Sequence, residues 1–241
     1  MYRMKIKMAN RANYGAKRPL KNIQYIVIHY TGNDGDHGES NGSYFRKNVV
    51  KSSAHYFVDD DSVTQSVPED YTAYSVGGAK YASCAKTGGG EMYKKCTNAN
   101  SISIELCDTV RNGKVYPSDA TIANALELTR SVMKRYGIPA DRVIRHFDVN
   151  GKSCPTYWCG TSYKDNLWLT VFKNKLVYDS TYDAVFDSTY YATKYADLKT
   201  AFGTDRVALL NHFITCGMNE GRQGISTFNV QIYKAYNDDL Q

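Results

Sequence analysis

The chain has 241 residues, of which 42% are hydrophobic and 22% charged, a composition typical of a globular protein that excludes a disordered tail. Its net charge of +6 favours an anionic partner such as nucleic acid or a bacterial cell wall, but no lysine or arginine run is dense enough to favour nucleic acid. No segment approaches the roughly 20 apolar residues of a membrane span. The length suits one large domain, or a medium domain followed by a small module.

The first elements along the chain are a strand, a weak helix and a hairpin. An apolar, β-branched run predicts a buried strand over 22–30, and His29 stands near its carboxyl end, where open α/β sheets place ligand sites. Weak helical spacing follows over 43–52, and 54–67 predicts two strands joined by an acidic turn. The glycine-rich stretch 75–98 predicts a long irregular loop, and such a loop inside a compact domain is usually functional.

The next elements continue the alternation of strands and helices. Residues 101–106 alternate apolar and polar side chains, which predicts a strand with Glu105 on its polar face. The clearest helix is predicted over 118–136, with a serine N-cap and a glycine directly after its last turn. A short strand is predicted over 142–147 and a further helix over 162–176. This alternation indicates an α/β domain over about the first 175 residues.

The remaining residues differ in composition and contain an internal repeat. Tyrosine, aspartate and alanine become frequent, and 186–198 and 228–240 both run from phenylalanine to Asp-Leu at an offset of 42 (228 − 186). The stretch between them predicts a helix ending at Gly217, and this period indicates stacked helical units. We therefore predict two domains, 1–176 and 177–241. The second repeat copy is cut off, so either the chain is a fragment or this unit completes its core against something else.

Three potential metal donors occur where an α/β domain can bring them together. His29 lies near the end of a predicted strand, whereas His146 and Cys154 belong to one short segment around a predicted loop. Two imidazoles and one thiolate form the ligand set of a catalytic zinc ion, which keeps a fourth position for water. Singly, each has a plainer alternative, because a lone histidine is more often a core residue and a lone cysteine a small buried apolar group. Their combination favours a metal site.

Other polar residues near these donors have two possible roles. Glu105 is either a surface carboxylate at a sheet edge or the general base for a zinc-bound water. Lys152 is either a solvated loop lysine or the cation that stabilises the oxyanion formed when water adds to an amide. His55 either packs in a strand or belongs to the substrate cleft.

The N-terminal residues and the cysteines indicate in which cellular compartment the protein is made. The first fifteen residues are basic without an apolar stretch behind them, so no secretory signal peptide is predicted and synthesis in the cytoplasm is expected. Cys84 and Cys96 flank a glycine-rich loop and could pair, but cytoplasmic cysteines are expected to be free thiols. Cys159 is the only other donor close to Cys154 in the sequence, and a fourth ligand there would make the site a structural zinc site instead.

Four stretches, taken in order, resemble the zinc-dependent N-acetylmuramoyl-L-alanine amidases of the type-2 amidase and peptidoglycan-recognition-protein superfamily: IVIHYTG, SAHYFVDDD, NSISIEL and RHFDVNGKSCP. The resemblance covers about residues 20–175 and implies a central mixed β-sheet flanked by α-helices. Three residues match the zinc ligands of the family: His29, His146 and Cys154. Lys152 matches its transition-state lysine, and Glu105 matches the catalytic glutamate of one branch. Another branch uses a tyrosine where this chain has Ala54, which leaves Glu105 as the expected base.

The resemblance also implies an activity and a setting. The expected reaction is hydrolysis of the amide between N-acetylmuramic acid and L-alanine of the peptidoglycan stem, with Zn²⁺ as cofactor and with Tyr30, Thr31 and His55 contacting substrate. The 21 tyrosines and the repeat module suit attachment to a Gram-positive cell wall, or a homo-oligomer. This layout resembles a phage or prophage endolysin of a clostridial-like host, released through a holin pore. The alternative is a non-catalytic peptidoglycan-binding protein, and the presence of Cys154 favours the enzyme.

Overall fold

The computed structural model describes residues 2–176, 182 and 184–237, apart from the side chains at positions 207 and 234. The chain divides into two compact units, Met1–Leu176 and Val177–Gln241, and each has a hydrophobic core of its own. The predicted start of the second domain at 177 and the end of the second repeat copy at 238–240 lie outside the described residues. Within the described part of the chain, no helix is long and apolar enough to cross a membrane.

A six-stranded mixed sheet organises the first unit, which confirms the predicted fold class. The strands of this unit are β1 (Arg3–Ile6), β2 (Tyr14–Lys17), β3 (Tyr25–Tyr30), β4 (Tyr56–Val58), β5 (Ser62–Gln65), β6 (Tyr71–Ala73), β7 (Ser101–Leu106) and β8 (Val143–Arg145). The order in the large sheet is β1-β5-β4-β7-β3-β8, while β2 and β6 form a separate antiparallel pair. Strands β4, β7, β3 and β8 are mutually parallel, and β5 is antiparallel to β4.

Strand β3 lies between β7 and the edge strand β8, and its sequence is mostly apolar because both faces of the sheet are covered there. Ile26, Val27 and Ile28 are successive residues of β3, and all three are fully buried. The parallel register pairs each residue of β3 with one of β7, so that His29 lies directly beside Glu105. This register places the first candidate ligand next to the candidate base.

The described residues of the first unit form five α-helices: α1 (Gly38–Lys47), α2 (Cys84–Thr87), α3 (Asp119–Tyr136), α4 (His146–Asn150) and α5 (Ser162–Leu167). Helix α3 confirms the clearest sequence prediction. The Ser118 hydroxyl accepts a hydrogen bond from the Thr121 N–H, and Gly137 ends the helix in the left-handed conformation at φ 64°. The apolar face of α3 packs on the sheet in the main core.

Several predicted boundaries were wrong. The weak helix at 43–52 begins earlier, at Gly38, whose N–H donates to the buried Asp59 carboxylate (2.9 Å), and it ends at Lys47. The predicted strand 142–147 stops at Arg145, because the Asp148 carboxylate accepts from the Arg145 N–H (2.7 Å) and starts α4. Helix α5 continues as a π-helical turn and a 3₁₀ turn rather than as one α-helix.

The second unit is helical and contains α6 (Ser188–Lys194), α7 (Ala196–Phe202), α8 (Arg206–His212) and α9 (Val230–Ala235). A π-helical turn extends α8 to Gly217, where the sequence predicts the helix to end. The core of the second unit contains large buried side chains: Phe186, Tyr191, Leu198, Leu209, Leu210 and Phe213.

The two repeat copies begin alike but are packed differently. The Asp187 side chain caps α6 by accepting from the Tyr190 N–H (2.7 Å), and the Asn229 side chain accepts from the Gln231 N–H (2.9 Å) at the same place in the second copy. Five residues after the first phenylalanine of each copy the packing diverges, since Tyr191 is 0% exposed and its counterpart Tyr233 is 48% exposed.

Candidate functional site

Two neighbouring parallel strands bring the three predicted donors together at their carboxyl ends. His29 is near the end of β3, and His146 is the first residue of α4, directly after β8. Cys154 lies in the loop that follows α4, with its Sγ 3.8 Å from His29 Nδ1. One ligand atom from each of these residues lies within 4.8 Å of the others, and all three side chains are buried.

The donors have the properties of metal ligands. Both ring nitrogens of His146 and Nε2 of His29 are buried without a hydrogen-bond partner among the described residues. Buried polar atoms are nearly always paired, so unpartnered imidazole nitrogens in a group of clustered donors indicate a site built for a ligand. Two nitrogens and one sulfur fit a metal ion of borderline softness.

The surroundings of the histidines keep them in the form that binds metals. Burial lowers the pKa of His29 well below its usual value, and the nearby His146 and Lys152 lower it further. Burial, assisted by Lys152, lowers the pKa of His146 to about 3. Burial also raises the pKa of the Cys154 thiol. Both imidazoles are therefore neutral at pH 7, whereas the thiol needs a cation to become a thiolate.

Glu105 borders the three donors. Its Oε1 is 3.9 Å from His29 Nδ1, and its Oε2 has no hydrogen-bond partner in the described part of the chain. Burial raises the pKa of Glu105 to about 8, although Lys152 opposes the shift and Asp36 adds to it. A cation held by the neighbouring donors would favour the ionised carboxylate, which is able to accept a proton and return it.

Lys152 is exposed and lies two residues before Cys154. Its backbone N–H donates to the side-chain oxygen of the buried Asn150 (3.1 Å). Lys152 and His146 both line a groove of about 340 Å³. An exposed lysine and one of the candidate metal ligands therefore line the same groove.

Tyr30 and Thr31, which are expected to contact substrate, follow His29 at the end of the sheet. The Tyr30 ring is half-buried and packs edge-on against Tyr157, with ring centroids 5.5 Å apart. The Thr31 N–H donates to the Leu106 carbonyl (3.1 Å), while its hydroxyl is buried without a partner within the described residues.

His55, one of the residues expected to contact substrate, is buried in the core of this structure. Its Nδ1 accepts from the Ser103 N–H (3.0 Å), and its Nε2 lies 3.1 Å from the Tyr71 carbonyl, to which an Nε2–H tautomer donates. The guanidinium of Arg18 lies 3.0 Å from the same nitrogen. The ring is almost completely buried and uses its hydrogen-bonding capacity within the protein.

Sequence patterns did not identify two residues that hold the site in place. Arg145 forms ion pairs with Asp148 (2.6 Å) and Asp165 and so fixes the start of α4, where His146 lies. Asn150, at the end of α4, accepts from the Tyr81 N–H (2.8 Å) through its carbonyl and donates from its side chain to the Gly77 carbonyl (3.3 Å). The i,i+3 spacing of arginine and aspartate is a usable sequence signal, but nothing marks the asparagine.

All six cysteines are free thiols, including Cys84 and Cys96. Cys159 lies outside the three-donor group, and its thiol is 3.1 Å from the Pro155 carbonyl oxygen. The cluster therefore has three protein donors and a neighbouring carboxylate.

A mixed sheet with His29 and Glu105 near the carboxyl ends of two of its strands, and with His146 and Cys154 in the segment after a third, defines an α/β protein with a candidate metal-binding group of three donors. The model of the N-acetylmuramoyl-L-alanine amidase family matches residues 19–157, which is more than half of the chain, so the chain belongs to that family.

Similar proteins agree with this assignment. The N-acetylmuramoyl-L-alanine amidase CwlL of Bacillus licheniformis is 32% identical over 162 residues, which are 65% of this chain and 41% of that protein. The N-acetylmuramoyl-L-alanine amidase CwlA of Bacillus subtilis (strain 168) is 31% identical over 150 residues, which are 61% of this chain and 49% of that protein. The chain thus spans less than half the length of these curated relatives.

Solved structures show the same fold. The structure of PlyL is 28% identical, with a TM-score of 0.53, over 73% of this chain and 96% of that one. The PlyG catalytic domain is also 28% identical, with a TM-score of 0.53, over 72% of this chain and 92% of that one.

Proposed function

We propose that the protein hydrolyses the amide bond between N-acetylmuramic acid and L-alanine in peptidoglycan, with zinc held by His29, His146 and Cys154. The convergence of these three buried donors beside Glu105 supports the proposal most strongly. The names of the curated relatives support the choice of bond. Three protein ligands leave one coordination position for water or substrate, as in catalytic zinc sites.

The residues around the metal centre divide the work of amide hydrolysis. Bound zinc supplies Lewis-acid chemistry, which polarises a carbonyl and makes a water molecule more acidic. Glu105 accepts the proton of the attacking water as its oxygen adds to the amide carbon. Lys152 stabilises the negative charge that develops on the carbonyl oxygen, a contribution typically worth about 3 kcal/mol per donor. Glu105 then gives the proton to the departing nitrogen as the C–N bond breaks, which leaves a lactyl carboxylate and a free L-alanine amine.

Digestion of purified Gram-positive peptidoglycan tests this function, with the new ends identified by mass spectrometry. We expect wild-type protein supplied with zinc to release free L-alanine amino groups, and Cys154→Ser to release almost none. Cys159→Ser is the matched control, because Cys159 lies five residues away and outside the donor group. Products with other ends, or equal losses in both serine variants, would contradict the proposal.

We further propose that the second unit attaches the protein to the cell wall. A groove of about 580 Å³ in this unit is lined by exposed apolar and aromatic side chains, including Ile232, Tyr233 and Tyr236. Aromatic rings of this kind stack on sugars while their hydroxyls remain hydrated. Such attachment would place the protein on the cell wall, the setting of a lysin.

Pelleting of the full chain with sacculi tests the attachment. The Tyr236→Ala variant should leave more protein in the supernatant than wild type, whereas Tyr163→Ala, which removes an exposed tyrosine of the first unit, should not. Equal pelleting of all three proteins would refute a role for this groove.

A further inference from the structure

The groove lined by His146 contains a second lysine to which the proposed function assigns no role. This groove has a volume of about 340 Å³, and the described residues that line it include two lysines, Lys51 and Lys152, and no acidic residue. Neither ammonium group has an ion-pair or hydrogen-bond partner within the part of the chain that the structure describes. Two unpaired cations in one groove favour an anionic ligand, and Lys152 is already assigned to the scissile carbonyl. The role of Lys51 is therefore open.

Lys51 has an unusual backbone conformation. Its φ is 54°, and among the described non-glycine residues only Lys94, at 62°, shares a positive φ. Side chains other than glycine, asparagine and aspartate seldom adopt this conformation. Where they do, the surrounding structure must enforce it, and such positions cluster at binding sites.

Asn13 enforces the conformation of Lys51. This fully buried asparagine accepts from the N–H groups of Val50 (2.8 Å) and Lys51 (3.0 Å) and donates to the carbonyls of Phe45 (2.8 Å) and Asn48 (2.7 Å). The arrangement parallels that of Lys152, whose N–H is held by the buried Asn150. A buried asparagine thus fixes the backbone of each lysine in the groove. Because this backbone is already ordered, less conformational entropy is lost when a ligand binds.

We propose that Lys51 determines specificity by binding the free α-carboxylate of the second stem residue, a γ-linked D-glutamyl group. This inference rests on the proposed function, which places the amide before L-alanine at the metal centre. The first anionic group along the stem beyond that bond is the D-glutamyl α-carboxylate, which is free in some cell walls and amidated in others. The groove extends from His146 to Lys51 and so offers this second residue a cation.

Binding of two tripeptides by the full-length protein tests the proposal, measured by titration calorimetry. The ligands are L-Ala-γ-D-Glu-L-Lys and the same peptide with its D-glutamyl α-carboxylate amidated. Neither contains the scissile bond, so the result does not depend on hydrolysis. We expect wild-type protein to bind the acid about tenfold more tightly than the amide, the size of a charge-assisted hydrogen bond.

Substitutions of Lys51 that tolerate its positive φ separate the effect of its charge from the effect of its backbone conformation. Lys51→Asn removes the charge but tolerates a positive φ, and it should abolish the preference by weakening binding of the acid alone. Lys51→Arg should retain the preference. Lys94→Asn is the matched control, because it makes the same change at the other positive-φ lysine, which does not line this groove.

Three results would overturn the assignment. Wild-type protein could bind acid and amide equally, Lys51→Asn could keep the preference, or Lys94→Asn could lose it to the same extent. The second result would assign the carboxylate to Lys152, and the third would indicate a long-range charge effect. Because the digestion experiment detects cleavage separately, a working amidase without tripeptide discrimination would reject this inference and leave the proposed function intact.

Discussion

The first unit contains two kinds of buried histidine, and burial does not distinguish them. His29, His146 and His55 are 2%, 3% and 1% exposed. Each ring nitrogen of His55 has a hydrogen-bond partner, the Ser103 N–H at Nδ1 and the Tyr71 carbonyl at Nε2, whereas three of the four ring nitrogens of His29 and His146 have none among the described residues. The presence or absence of hydrogen-bond partners at the ring nitrogens therefore distinguishes a histidine with a structural role from a candidate ligand-binding histidine.

The neighbouring strand shows the same contrast. Ser103 and Glu105 are two residues apart on β7 and lie on the same face of that strand. Ser103 is hydrogen-bonded to His55, while Glu105 faces His29 and has one oxygen without a hydrogen-bond partner in the described ranges of the chain. Strand β7 thus contributes Ser103 to the hydrogen-bond network of the core and Glu105 to the candidate site.

The largest expected effect comes from removing a donor. Cys154→Ser should lose bound zinc and lower amidase activity by about three orders of magnitude, because several kcal/mol of transition-state stabilisation depend on the metal. Metal content by mass spectrometry and the rate of muropeptide cleavage measure the two effects. His55→Gln provides the comparison and should keep its zinc. Equal metal loss in both variants would contradict the separation of the three clustered donors from His55.

The next effect concerns proton transfer at Glu105. Glu105→Gln keeps the shape of the side chain but cannot accept a proton, so kcat should fall by about two to four orders of magnitude. Zinc content should stay at the wild-type level, since Glu105 is not one of the three clustered donors. Retention of most of the activity would transfer the role of base to another group.

A stability effect is expected at His55. His55→Gln should lower the free energy of unfolding by about 1–3 kcal/mol, because it leaves buried partners such as Arg18 and Ser103 imperfectly bonded. Urea denaturation measures the change. A variant as stable as wild type would show that the satisfied network contributes little to the fold.

The same residue predicts a dependence on pH. Burial, with the charge of Arg18 adding to it, lowers the pKa of His55 from 6.5 to about 3. The unfolded chain therefore takes up a proton below about pH 6.5 that the folded protein does not accept, and stability falls as the pH decreases. The stability difference between wild type and His55→Gln should shrink on acidification, with a slope approaching about 1.4 kcal/mol per pH unit. Parallel curves between pH 7 and 5 would contradict the neutral, buried assignment.

Local patterns predicted the regular parts of the fold. The apolar run of β3 and the caps of α3 depend on neighbours in sequence, and α3 forms where it was predicted, while β3 begins three residues later than predicted, at Tyr25. The edge strand β1 was missed, because the sequence RMKI is mostly exposed and becomes a strand only by pairing with β5, more than fifty residues away. The early end of β8 was missed because the Asp148 carboxylate starts a helix there.

By itself, the sequence determined the α/β architecture, the candidate set of two histidines and a cysteine, and the family, because these follow from local periodicity and from ordered motifs. Only the tertiary structure decided which histidines lack partners, since that depends on groups that are distant in sequence, such as Arg18 for His55. It also decided the conformation of Lys51, which the side chain of Asn13 imposes from 38 positions away. Hydrogen-bond satisfaction and backbone strain are properties of the folded arrangement, and no stretch of sequence contains them.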